Sequence, residues 1–133
     1  MQDRPTAVEL LGAVRDFLER DVLPDLEGRK RFHALVAANV LTIVARELDE
    51  EETAMVAEWQ RLRDLLGVDE RTPPGRVAGL RVALRELTGR LVDRIRAGDA
   101  DGAPFGDAVR AHVRMTVVEK LRIANPKYLA SEP

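Results

Sequence analysis

The run RKRFHALVAANVLTIVAREL, residues 29–48, narrows the possible folds of this chain more than any other segment. It opens basic, passes through a dense apolar stretch and closes on charge. Apolar residues at that density predict a helix buried over most of its surface, with a small all-helical protein built around it. Val40, Ile43 and Val44 lie mid-helix on the apolar face and are expected to be nearly fully buried. Truncating Ile43 to Ala is expected to cost about 2–5 kcal/mol through lost burial and a cavity.

Punctuation elsewhere divides the chain into about five helices, predicted at 7–21, 29–48, 50–66, 73–97 and 105–124. Thr6 with Glu9, and Asp49 with Glu52, have the spacing of capping boxes and mark two starts. Thr72 before Pro73 marks a third, because proline is favoured in the first helical turn. Gly67 and Gly98 mark two stops, and Asn125-Pro126 marks the last. Leu10, Leu11, Val14, Phe17 and Leu18 form the stripe of the first segment, and Met55, Trp59, Leu62 and Leu66 that of the third. Val77, Leu80, Leu84, Leu87, Leu91 and Ile95 repeat with 3-4 spacing in the fourth, a bundle seam. No run alternates with period two long enough for a sheet. The fold class is therefore all-α. Short connections make an up-and-down bundle the expected architecture.

The 133 residues fit one domain, 1–133. With no cysteine, disulfides, zinc–cysteine sites and thiol catalysis are excluded. The start MQDRPTAVE is too polar for a signal peptide, and no apolar run nears the ~20 residues that span a bilayer. A soluble cytoplasmic protein without membrane contact is expected. A net charge of −2 gives no electrostatic reason to bind nucleic acid. His33 and His112 are too few for the histidine-rich metal sites of helical bundles, and neither belongs to a Glu-x-x-His pair. Glu47 and Glu50 form a Glu-x-x-Glu pair, but the second acidic pair of the all-helical nucleotide pyrophosphatases does not follow. No P-loop or Gly-x-Ser-x-Gly is present. No metal, cofactor or catalytic residue is expected.

Four polar residues fall where the helical pattern asks for apolar ones. His33 projects between Val40 and Val44, and Asn39 lies beside Phe32 and Leu35. Lys120 projects among Val109, Val113 and Ala124, and Asp21 continues the line of Leu10, Val14 and Phe17. A buried charge needs a partner. One reading gathers Asp21, His33, Asn39 and Lys120 into a polar binding pocket between the first, second and fifth predicted helices. The other leaves His33 and Lys120 reaching solvent near helix ends and Asn39 tying two helices together.

Arginines border the seam of the fourth predicted helix on both sides. Arg81, Leu84, Arg85, Leu91 and Arg94 are the expected contact of a two-fold homodimer, since apolar residues away from the main stripes exceed what one copy can cover.

The start DRPTAVELLGAVRDFLERDVLPDLEGRKRFHALVAANVLTIVAREL and the end VEKLRIANPKYL resemble a family of small bacterial helical proteins of unknown function. The resemblance is strongest over residues 3–48 and 117–129. It implies a context rather than an activity: an accessory protein encoded beside aminoglycoside-phosphotransferase-like kinases and acyl-CoA dehydrogenases. The combined expectation is a non-catalytic helical accessory protein that binds itself or a kinase-like or acyl-CoA-handling enzyme. The alternative is a small-molecule-binding protein or enzyme using the polar pocket.

Overall fold

The computed structural model describes residues 4–130, and among them every regular element is helical. α1 spans Ala7–Phe17, α2 Gly28–Leu66, α3 Val77–Arg96, α4 Phe105–Ala124 and α5 Pro126–Ala130. The protein is an all-α bundle.

α1 starts where its capping box places it. The Glu9 N–H donates to Thr6 Oγ1 at 3.2 Å, and the Thr6 N–H donates to Glu9 Oε2 at 2.7 Å. Its far end departs from a regular helix to residue 21. The backbone widens into a π turn at Leu18–Val22, then tightens into a 3-10 turn at Leu23–Asp25. Pro24 is the physical cause: it has no N–H to give, and its ring crowds the carbonyl four residues back. The Leu23 carbonyl accepts both the Leu26 N–H at 3.3 Å and Arg31 Nη1 at 2.5 Å.

The second and third predicted helices are one helix. α2 runs unbroken for 39 residues, so the Asp49 start signal is overruled. Asp49 and the glutamates after it follow residues that are already helical, and no glycine or proline lies between 29 and 66 to stop the ladder. Where α2 does end, Gly67 takes φ 65°. The Gly67 N–H then reaches the Asp64 carbonyl, and the Val68 N–H reaches that of Arg63 at 3.0 Å. This is the Schellman arrangement that a left-handed glycine permits. α3 closes the same way at Gly98, with Asp99 N–H on the Arg94 carbonyl at 3.1 Å. The predicted start of α3 at Pro73 is displaced to Val77. Consecutive prolines push the residue before each of them out of the α region, so the Thr72-Pro73-Pro74 stretch stays irregular.

The described chain divides into two compact units. One takes residues 4–51 with 123–125, the other 52–122 with 126–130. The second unit holds a conventional core. Met55, Trp59 and Leu62 of α2 meet Leu80, Leu87 and Leu91 of α3 and Val109 of α4, with Trp59, Leu62 and Leu80 essentially sealed. The expected stripes of both segments supply most of this core.

The first unit differs. Its buried side chains among the described residues are Leu23 and Ala38. Val40, expected to be nearly buried, is 49% exposed, and Ile43 and Val44 are only half-buried. Leu10, Val14 and Phe17 of α1 and Phe32, Leu35 and Val36 of α2 are exposed as well. The inward line of α2 here is instead Ala34, Ala38, Leu41, Thr42 and Ala45. The Thr42 hydroxyl donates to the Ala38 carbonyl at 3.1 Å.

Leu62→Ala should therefore carry the large loss, about 2–5 kcal/mol by chemical denaturation, and Ile43→Ala a clearly smaller one. Gly106→Ala should also destabilise, because a Cβ there would press into the Ala100 carbonyl oxygen. Equal losses at Ile43 and Leu62 would contradict this division of the core.

Candidate functional site

Asp21, His33 and Asn39 lie in the first unit and Lys120 in the second, and all four are exposed. Asp21 continues the line of Leu10, Val14 and Phe17 as projected, but that line faces solvent, so no buried charge demands a partner there. The His33 ring meets Phe32 edge-on, with centroids 5.8 Å apart. Asn39 sits among the exposed apolar side chains of α2. No hydrogen bond or ion pair among the described residues joins Asp21, His33 and Asn39. Arg46, which follows them on α2, donates from Nη1 to the Ile123 carbonyl at 2.8 Å. A cation at the last carbonyls of a helix is favoured by the helix dipole.

The residues assigned to a contact along α3 separate by burial. Leu91 is 4% exposed, in the core of its own unit, and has no surface to offer a second copy. Leu84 packs against the same core. Arg94 is held at home: its Nε donates to Asp99 at 2.8 Å, and its guanidinium lies over the Phe105 ring at 3.9 Å. Such a cation–π contact fixes the side chain locally.

Arg81 and Arg85 remain exposed and line a shallow basin with Leu84, Thr88, Glu58 and Lys120. Its volume is about 360 Å³. Arg81, Leu84, Arg85 and Thr88 follow one another at i, i+3, i+4 and i+7, so one face of α3 forms a wall, with α2 and α4 adding Glu58 and Lys120. Three basic side chains and one carboxylate line the basin.

A second polar cluster, not anticipated as such, joins α2 to α4 inside the second unit. Arg61 clasps Glu119 with two hydrogen bonds, Nη1 to Oε1 at 2.8 Å and Nη2 to Oε2 at 2.5 Å. That fork geometry fixes two helices in both angle and register. His112 lies on the same side of α4 and is 8% exposed. Among the described residues, Trp59 Nε1, Arg61 Nε, His112 Nδ1 and Thr116 Oγ1 are buried without a hydrogen-bond partner. The signal was legible: Val109, His112, Thr116 and Glu119 recur at 3-4-3 spacing. The line through Val109, Val113 and Lys120 runs off the buried face, and both Val113 and Lys120 are exposed.

A neutral buried imidazole can accept a proton, but among the described residues no hydrogen bond ties His112 to a hydroxyl nucleophile. No three His, Cys, Asp or Glu residues among those described come together as a metal-binding group. No helix of the described residues is long and apolar enough to cross a membrane.

Residues 24–128 match the family described as a domain of unknown function (DUF6285). No curated protein and no solved structure matches the chain.

Burial, and after it the Arg61 guanidinium, hold His112 below the ordinary histidine value, with Glu119 opposing. The folded chain thus keeps His112 neutral where an unfolded chain takes up a proton. Its contribution to stability is full above the unfolded pKa of 6.5 and is lost as pH falls below it. The melting temperature should fall between about pH 7.5 and about pH 5.5, and His112→Gln should flatten that slope. An unchanged slope in the variant would assign the acid sensitivity elsewhere.

Proposed function

We propose that this chain, which belongs to the DUF6285 family, is a non-catalytic helical interaction protein that works as a homodimer joined through its first unit. One observation carries the reading: the apolar side chains of α1 and of the first half of α2 are exposed, with Phe32 at 62%. Leu10, Val14, Phe17, Phe32, Leu35, Val36 and Val40 together expose on the order of 700 Å² per copy, close to the ~800 Å² each partner brings to a standard interface. Exposed apolar surface of this extent in one patch is more than soluble monomers usually tolerate. A two-fold contact covers one patch with its own copy. The contact moves from the arginine-bordered face of α3, where Leu91 is already consumed, to α2.

The resemblance of both chain ends to small bacterial proteins encoded beside kinase-like and acyl-CoA-handling enzymes supports an accessory role next to such an enzyme.

Light scattering coupled to size exclusion should give twice the chain mass of 14.8 kDa. Val36→Asp should return the protein to single-chain mass while circular dichroism still reports a helical fold. A wild-type protein that is monodisperse at the single-chain mass would overturn the reading.

A further inference from the structure

We infer that the two copies pair antiparallel along the first half of α2, with Asn39 at the two-fold axis and Arg29 of each copy against Glu50 of the other. This rests on the dimer proposed above and goes on to its geometry. The residues that α2 turns away from its buried Ala34–Ala38 line are Arg29, Phe32, Val36, Asn39, Ile43 and Glu50. Their spacings are 3, 4, 3, 4 and 7, the seam pattern of two helices packing side by side with one position, Arg46, taken up by the Ile123 carbonyl. Arg29, Phe32, Val36, Asn39 and Glu50 are exposed, and Ile43 is half-buried. The seam is basic at its start, apolar along its middle and acidic at its end.

Two ways of laying one such seam on another differ in charge. A parallel pair sets Arg29 against Arg29 and Glu50 against Glu50, which repels at both ends. An antiparallel pair sets Arg29 against Glu50 twice. Neither residue makes an ion pair within the described chain, so both charges are available. The same register places Val36 against Ile43 and brings Asn39 to the centre. A lone asparagine in an apolar seam fixes register, because any slip buries its amide against hydrocarbon. Asn39 thereby acquires a role as the locator of the pair rather than as a ligand in a pocket.

The chain has no cysteine, so a single engineered one reports cleanly. A spin label on Lys30→Cys should give a distance near 30 Å between copies, since the two labels then sit ~19 residues apart along antiparallel helices rising 1.5 Å per residue. A parallel pair would put the same labels roughly 10 Å apart, the ordinary separation of packed helices. Charge reversal is the second readout. Arg29→Glu and Glu50→Arg should each weaken the dimer several-fold, and the double variant should recover wild-type affinity. A dimeric mass with labels near 10 Å, or without recovery in the double variant, overturns the antiparallel pairing and leaves the dimer standing. A single-chain mass with no dipolar signal overturns both.

Discussion

Between Gly28 and Gly67 no glycine or proline interrupts the chain, and the backbone hydrogen-bond ladder runs through all of it. The rest of the arrangement follows from that continuity. A helix of this length presents several faces in succession, and α2 spends them differently. Its later residues, Met55, Trp59 and Leu62, are sealed among side chains of α3 and α4. Its earlier apolar residues are not covered by their own unit, which buries little beyond Leu23 and Ala38. A break at Asp49 would have allowed the first segment to turn and cover its own apolar face. With no such break, these side chains stay exposed on the helix.

How much of this the sequence discloses depends on the kind of signal. Positions fixed by backbone sterics are read well. Gly67 and Gly98 adopt left-handed angles that other residues resist, and the helix ends are where those glycines stand. Thr6 and Glu9 bond each other reciprocally, as their spacing requires. Signals resting on side-chain preference alone are weaker. Asp49 can cap a helix, but nothing before it halts the one already running. Thr72 and Pro73 can open one, but a second proline defers the start to Val77. The stripe of α3 is legible because its cover lies in the same unit. The stripe in the first half of α2 is equally regular, yet regularity reports that a face is apolar and not whose surface covers it. That is why Val40 was expected inside and is found outside.

The same distinction explains the polar residues. Lys120 and His112 sit eight positions apart on α4, and a modest rotation decides which of them is buried. The apolar pattern of α4 is broad enough to allow either. The Arg61–Glu119 clasp settles the rotation by drawing Glu119 towards α2, which carries Thr116 and His112 inward and leaves Lys120 in the basin. A long-range ion pair of this kind cannot be read from local periodicity, since its partners lie 58 residues apart.

The hydrogen bond from Arg46 to the Ile123 carbonyl spans 77 residues of chain. Residues 123–125 belong to the same compact unit as residues 4–51. During synthesis residues 123–125, which complete this unit, leave the ribosome after the whole of 52–122. Domains usually fold as they appear, beginning at the amino end. Here the contact from Arg46 can form only after residues 52–122 have been made. That step is therefore timed by the stretch of chain between Arg46 and Ile123 rather than by where Arg46 itself stands.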